Sequence, residues 1–230
     1  MLHRIVCHSR FALLCFAAGL LAAVPAAAQF AAPPGGTQVL DSAALKPPAG
    51  ARVAIVEFDD LQCPACASAN PVLMKAAAQY HIPWIRHDFL IPYHTWSLTA
   101  AITARYFDTR SATLGDEYRN QVFANQTYIY NPMMLRQFND NFARSHGITL
   151  PSEMDPQGKL AAAVQADNAL SKQTGIHHTP TIFVVAAHSK GAPFIEVMHP
   201  EQDIDQIIEQ ALVDTTPAQS AKSTKAARKK

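Results

Sequence analysis

The stretch RVAIVEF, followed by DDLQCPACASANPVLMKAAAQY and IPWIRHDFL, constrains the fold more than any other part of the chain. RVAIVEF, from Arg52 to Phe58, is a β-branched apolar run and reads as a buried strand. Pro64 suits the first turn of a helix, where its missing N–H costs nothing, and that helix runs to about Tyr80. A second strand covers 82–90. The crossover of about 20 residues makes the two strands parallel neighbours in a right-handed β-α-β unit.

From Trp96 to Lys172 the periodicity turns helical. Helices are expected over 95–108, 115–125, 132–145 and 156–175. Asn131-Pro132 and Asp155-Pro156 are cap-then-proline starts, and Gly147 and Gly175 are stops. The β signal then returns. TIFVV (181–185) and FIEVM (194–198) form a hairpin across a Gly/Pro turn, and Asp203 to Val213 is an amphipathic helix. The order β-α-β, helical block, β-β-α defines an α/β class, a thioredoxin fold with an all-helical insertion. Its two parts, 51–92 and 176–214, flank the insertion, 93–175. Residues 29–50, rich in Ala, Pro and Gly, read as a linker with one short strand around Gln38 to Leu40.

The amino-terminal 28 residues read as a secretory signal peptide. Arg4 and Arg10 precede an apolar run from Phe11 to Val24, and Ala26-Ala27-Ala28 supplies an A-x-A cleavage pattern. That run is about 14 residues, short of the ~20 needed to span a bilayer. A lipoprotein signal is disfavoured, because Leu13-Leu14 precede Cys15 where a small residue is expected. The leader changes the meaning of the four cysteines. Cys7 and Cys15 leave with it, so the mature chain keeps Cys63 and Cys66 alone. A loop this short removes little chain entropy when closed, so the pair is not a stabilising staple.

Charge says little about partners. The chain carries 19 Lys and Arg against 18 Asp and Glu, and no basic stripe with interleaved aromatics supports nucleic-acid binding. The last nine residues, KSTKAARKK, hold five of the basic groups. The tail, 215–230, reads as a disordered solvated end.

Thiol–disulfide exchange needs an exposed attacking thiolate and a second thiol able to release the mixed disulfide. Cys63, at the head of the helix, faces free N–H groups and the positive end of the helix dipole. It is the expected nucleophile, and Cys66, one turn in, the resolving cysteine. Glu57 interrupts the apolar strand on the same face as Ile55. It is expected below Cys66, with a carboxyl whose pKa burial raises and which can take a proton from the resolving thiol. An outward-facing strand-end glutamate is the alternative. Pro180 directly precedes an inner strand. A cis peptide after Thr179 would accommodate it and leave the Thr179 backbone to pair with an extended substrate near the cysteines.

Through VEFDDLQCPAC, DFLIPYHTWSLTAA, VFANQ and TGIHHTPTIFV, the chain from Arg52 to Val213 resembles the DsbA-like thiol-disulfide oxidoreductases of the bacterial cell envelope. The resemblance implies that Glu57 is their buried acid, six residues before the first cysteine, and that Pro180 is their cis-proline. Two departures stand out. Ala65, beside Pro64, replaces the histidine next to the second cysteine of DsbA, so the Cys63 thiolate should be less stabilised and the pair less oxidising. His177 and His178 stand where relatives have a glycine two residues before the proline. His178 could restore positive charge near Cys63.

Those histidines also feed a rival reading, a Cys/His metal site for copper delivery. Copper-delivery proteins with this fold space their cysteines by three residues, and here the spacing is two. His81, His87, His94, His146, His188 and His199 are scattered without ligand spacing and read as surface or satisfied residues. Phe58, Tyr93 and Trp96 are candidates for an apolar substrate groove or for packing.

The sequence thus points to an exported, periplasmic and monomeric oxidoreductase without bound cofactor. It would donate disulfides to reduced or unfolded exported proteins, and by resemblance a membrane quinone-linked partner would reoxidise it. A reductase or isomerase is the alternative within the class.

Overall fold

The computed structural model describes residues 36–216. The expected signal peptide (1–28) and all but the first two residues of the basic tail lie outside the described residues. Four strands, β1 (Val53–Asp59), β2 (Trp84–Asp88), β3 (Thr181–Ala186) and β4 (Phe194–Glu196), form one sheet in the order β2-β1-β3-β4. β2 runs parallel to β1, while β3 is antiparallel to both β1 and β4. Between β1 and β2 lies α1 (Pro64–Tyr80), and after β4 comes α6 (Pro200–Asp214). The insertion is α2 (Ser97–Asp108), α3 (Ala112–Ala124), a 3-10 turn (Gln126–Tyr128), α4 (Pro132–Ser145) and α5 (Lys159–Thr174). This is the mixed α/β architecture expected from the sequence.

The period-two alternation of β1 and β3 sorts side chains onto two faces. Val53, Ile55, Ile182 and Val184 pack against Leu73 of α1 and Ile204 and Ile208 of α6. Ala54, Val56, Phe58, Phe183 and Val185 turn the other way, onto Leu45 and Ile176. A third core lies within the insertion around Trp96, Phe107, Tyr118 and Leu135, and it takes in Cys63 and Cys66. Each such fully buried side chain stabilises the fold by roughly 1.5–3 kcal/mol.

Several boundaries differ from the sequence reading, among them the start of α3 at Ala112 rather than 115, and three of the differences bear on packing. Residues 36–50 are neither a free linker nor a strand. Thr37 donates its amide and its hydroxyl to the Glu196 carboxylate, Leu40 N–H donates to Thr174 O at 3.0 Å, and Leu45 is buried. The segment covers the sheet face opposite α1, where the apolar side of β3 needs a lid. Helix α5 starts at Lys159, not at Pro156. A turn follows Asp155, whose Oδ2 still accepts Ala161 N–H at 2.8 Å, so the cap acts from outside the helix. Helix α6 begins at Pro200, three residues early, because proline fills its first turn and Glu201 and Asp203 complement the dipole.

Candidate active site

The chain reverses at the end of β1. Cys63 N–H donates to Asp60 O at 2.8 Å and Gln62 N–H to Asp60 Oδ1 at 2.8 Å, closing a tight loop. Asp60 also reaches into the insertion. Its Oδ2 accepts Ile91 N–H at 2.8 Å and the Ser97 hydroxyl at 2.9 Å. From the far side Gln126 donates its Nε2 to both Leu61 O (3.0 Å) and Cys63 O (3.1 Å). The loop carrying the first cysteine is thus held by its own aspartate and by an amide from the insertion.

Cys63 is the N-cap residue of α1, with Pro64 behind it and no acidic residue in the first turn to oppose the dipole. It is 6% exposed, whereas Cys66 is 0% exposed, and both are free thiols. The Cys66 thiol hydrogen-bonds the Cys63 sulfur and is the largest cause lowering the Cys63 pKa to about 5. The Thr179 side chain and the amides of Cys66 and Ala65 lower it further, against burial. Burial, followed by that same hydrogen bond, pushes the Cys66 thiol up. One sulfur is therefore prepared to be an anion at neutral pH and the other to keep its proton.

Antiparallel pairing places Phe58 opposite Thr181, so the start of β3 lies beside the end of β1. This brings Thr179 and Pro180 to the cysteines from more than a hundred residues away. Cys63 Sγ lies 3.5 Å from Thr179 O, and the Thr179–Pro180 bond is cis. The Thr179 backbone, expected to pair with a substrate strand, turns its carbonyl to the Cys63 thiol.

Beside this pair runs a cleft of about 500 Å³ lined by Ala65, Ser68, His178, Pro180, Met198 and His199. His178 is exposed on its rim; His177 is exposed and does not line it. Glu57 is 0% exposed on the Ile55 face, as expected, and accepts a hydrogen bond from Trp84 Nε1 at 3.0 Å. Burial raises its pKa well above the usual carboxylate range. Phe58 and Trp96 are core residues rather than groove residues, while Tyr93 is 78% exposed. Among the described residues no group of three or more His, Cys, Asp or Glu is arranged to hold a metal ion.

The sequence reading missed Asp59, Asp60, Arg86, Gln126 and His199. Asp59 was within reach, because period two carries Ile55 and Glu57 on to it. Arg86 becomes visible only with the strand register, which sets it opposite Glu57. Gln126 lies in VFANQ, a stretch that carries the resemblance, yet nothing local shows that it holds the Cys63 loop, and His199 carries no local signal.

Residues 49–198 match the family model described as Thioredoxin. The chain belongs to the thioredoxin family. A search of curated proteins found no match. Among solved structures it is similar to BdbD from Bacillus subtilis in its oxidised form, at 17% identity and TM-score 0.59. That match covers 78% of this chain and 97% of the other. The thiol-disulfide exchange protein alpha-DsbA2 from Wolbachia pipientis is similar at 15% identity and TM-score 0.54, covering 71% and 84%. A periplasmic thioredoxin-like protein from Salmonella enterica serovar Typhimurium is similar at 18% identity and TM-score 0.55, covering 70% and 84%. Family and site together define a thiol–disulfide exchange enzyme of the thioredoxin kind, and the shared fold is the DsbA-like one.

Proposed function

We propose that the chain is an exported, periplasmic oxidoreductase that donates its Cys63–Cys66 disulfide to reduced exported proteins. A substrate thiolate attacks Cys63 Sγ, the Cys63–Cys66 bond breaks, and Cys66 leaves and is protonated by Glu57. A second substrate thiolate then attacks the substrate sulfur of the mixed disulfide and releases Cys63 as a thiolate. Two electrons pass from the substrate to the enzyme. A membrane quinone-linked partner takes them away, and the enzyme works as a monomer without a bound cofactor. Pro180 and Thr179 position the substrate chain beside Cys63, and Pro64, Ala65, His177 and His178 tune the site.

The observation that carries this reading is the division between the two thiols. A Cys63 thiolate favoured down to about pH 5 stabilises the reduced enzyme, which makes its disulfide the stronger oxidant. Ala65 offers no cation to that thiolate, in keeping with a value above the ~3.5 of DsbA. The leader-like amino terminus supports export, as does the likeness to a periplasmic thioredoxin-like protein from Salmonella.

Equilibration of the protein with glutathione buffers tests the direction. A potential of about −120 to −180 mV is expected of a donor, whereas one near −270 mV would reassign it as a reductase.

A further inference from the structure

Strand β1 presents two acids, not one, to the layer beneath Cys66. Ile55, Glu57 and Asp59 alternate onto one side of the strand, and Glu57 and Asp59 are 0% and 2% exposed. Across the parallel β1–β2 ladder Glu57 is opposite Arg86, and Asp59 is opposite Asp88. The Arg86 guanidinium lies over the Trp84 ring, 3.6 Å from its centroid. Its Nη2 donates to Asn70 Oδ1 at 3.1 Å and to Asn120 Oδ1 at 2.7 Å. Asn70 is four residues after Cys66 on α1, so both belong to the same buried stripe of that helix. Cys66, Asn70 and the two buried acids therefore share one layer with half-buried Arg86.

Within that layer the charges do not balance. Asp88 is held by Arg105, and Arg119 by Asp108. Asp167 is also paired with Arg105, Asp116 lies 4.0 Å from Arg119, and Asp60 is taken up by the loop described above. Arg86 is the remaining cation, and its charge acts on both Glu57 and Asp59 without a close ion pair to either. Two buried carboxylates facing one guanidinium cannot both ionise cheaply, so the pair retains a proton and titrates as a unit. The hydrogen bonding points the same way. Glu57 Oε2 is occupied by Trp84, while Glu57 Oε1, Asp59 Oδ2, Arg86 Nε and Arg86 Nη1 are buried without partners among the described residues. An acid with an unsatisfied buried oxygen is suited to gaining or losing a proton.

We propose that Glu57 and Asp59 act as a coupled pair of acids in the layer of Cys66, in which Asp59 is a second proton donor and acceptor for the resolving thiol. When substrate thiolate forms its bond to Cys63 Sγ, the Cys63–Cys66 bond breaks and Cys66 departs as a thiolate. The proton it gains comes from the pair, leaving one further negative charge shared between the carboxyls and facing Arg86. The pair then regains a proton from solvent, and on reoxidation the Cys66 proton leaves through it. The electrostatics of the layer agree: burial, against the attraction of Arg86, raises the Asp59 carboxyl to about 7, and burial, the Cys63 hydrogen bond and then Asp59 and Glu57 push the Cys66 thiol up. Two hosts for one proton keep the step available over a wider pH range than a single buried acid allows.

The inference rests on the reading of Glu57 as the proton partner of Cys66, and the test separates the two. Reduction of the oxidised full-length protein by glutathione is followed by stopped-flow fluorescence from pH 5 to 9, for the wild type, E57Q, D59N and the double variant. Each single substitution is expected to slow the step about tenfold and to leave one titration. The double variant should lose the remaining titration and slow by more than about a hundredfold. If D59N follows the wild-type profile and the double variant follows E57Q, the pair is overturned while Glu57 stands. If neither acid affects the profile, both readings fall. Should D59N not fold, carbon-13 shifts of the carboxyls in the wild type decide. Reduction of the disulfide must then move the titrations of both Glu57 and Asp59, and movement of Glu57 alone overturns the pair.

Discussion

Gln126 donates both of its side-chain hydrogen bonds to the loop of the reaction centre, one of them to the carbonyl of Cys63 at 3.1 Å. The donor belongs to the helical insertion and the acceptor to the thioredoxin-fold unit, so this amide joins the two at the nucleophile. Gln126→Ala should lower stability by about 1–3 kcal/mol, because two partly buried carbonyls lose a donor. It should also raise the rate at which Cys63 is alkylated, as the loop loosens. Urea unfolding and iodoacetamide kinetics on the same sample check both effects, and Gln126→Glu, which keeps the shape but loses the donor, should behave like alanine.

The lowered Cys63 pKa sets the pH dependence of the redox equilibrium. Above about pH 5 the reduced enzyme holds one thiol proton instead of two. The potential should then fall by about 30 mV per pH unit between pH 5.5 and 8, and about twice as steeply below pH 5. Stability follows the same sign. The folded-state pKa is depressed below the ordinary thiol value, so its contribution to the reduced form is complete above that ordinary value. It is lost as pH falls through about 5. The thermal midpoint of the reduced protein, relative to the oxidised one, should therefore rise from pH 5 to 8. A difference independent of pH would mean that Cys63 is an ordinary thiol.

Asp60 satisfies the amides of Gln62 and Ile91 and the Ser97 hydroxyl, and it stands 3.0 Å from His94 Nδ1. Asp60→Ala leaves these donors stranded at a buried loop. The expected loss is about 2–4 kcal/mol, read from the denaturation midpoint. Asp60→Asn keeps one carbonyl oxygen and should lose about half as much.

Gly175 ends α5 with φ +91°, and a Cβ there would collide with the Gln38 carbonyl. Gly175→Ala should cost about 2 kcal/mol or more, through left-handed backbone strain and displacement of the segment that covers the sheet. Limited proteolysis within residues 38–45 should quicken in the variant. An unchanged cleavage rate would show that the segment does not depend on this turn.

Much of this architecture can be read from local chemistry. The Asn131-Pro132 start is real, with Asn131 Oδ1 accepting Met134 N–H at 2.9 Å, and Gly175 stops α5 in the left-handed region as its position implies. Cys63 and Cys66 were legible because their spacing, helix position and lone status converge. Glu57 was legible because an acid in a β-branched run has few reasons to be there. What escaped depends on long-range packing. Residues 36–50 look like linker because Ala, Pro and Gly carry no period, yet Leu45 finds a buried site on the sheet. Arg86 looks like a surface residue of a half-buried strand until register places it opposite Glu57. Phe58 and Trp96 were candidates for a groove because hydrophobicity alone does not say which apolar side chains stay on the surface.

The two cysteines belong to the insertion's core, although the rest of their helix packs on the sheet. The sulfurs therefore sit where two separately packed cores meet, and the packing of either core can bear on the bond between them. Whatever tightens the insertion around one redox form makes the enzyme reluctant to leave that form. The driving force for exchange can thus be inherited from side chains that never meet a sulfur, and evolution can retune this enzyme from its periphery while leaving Cys-Pro-Ala-Cys untouched.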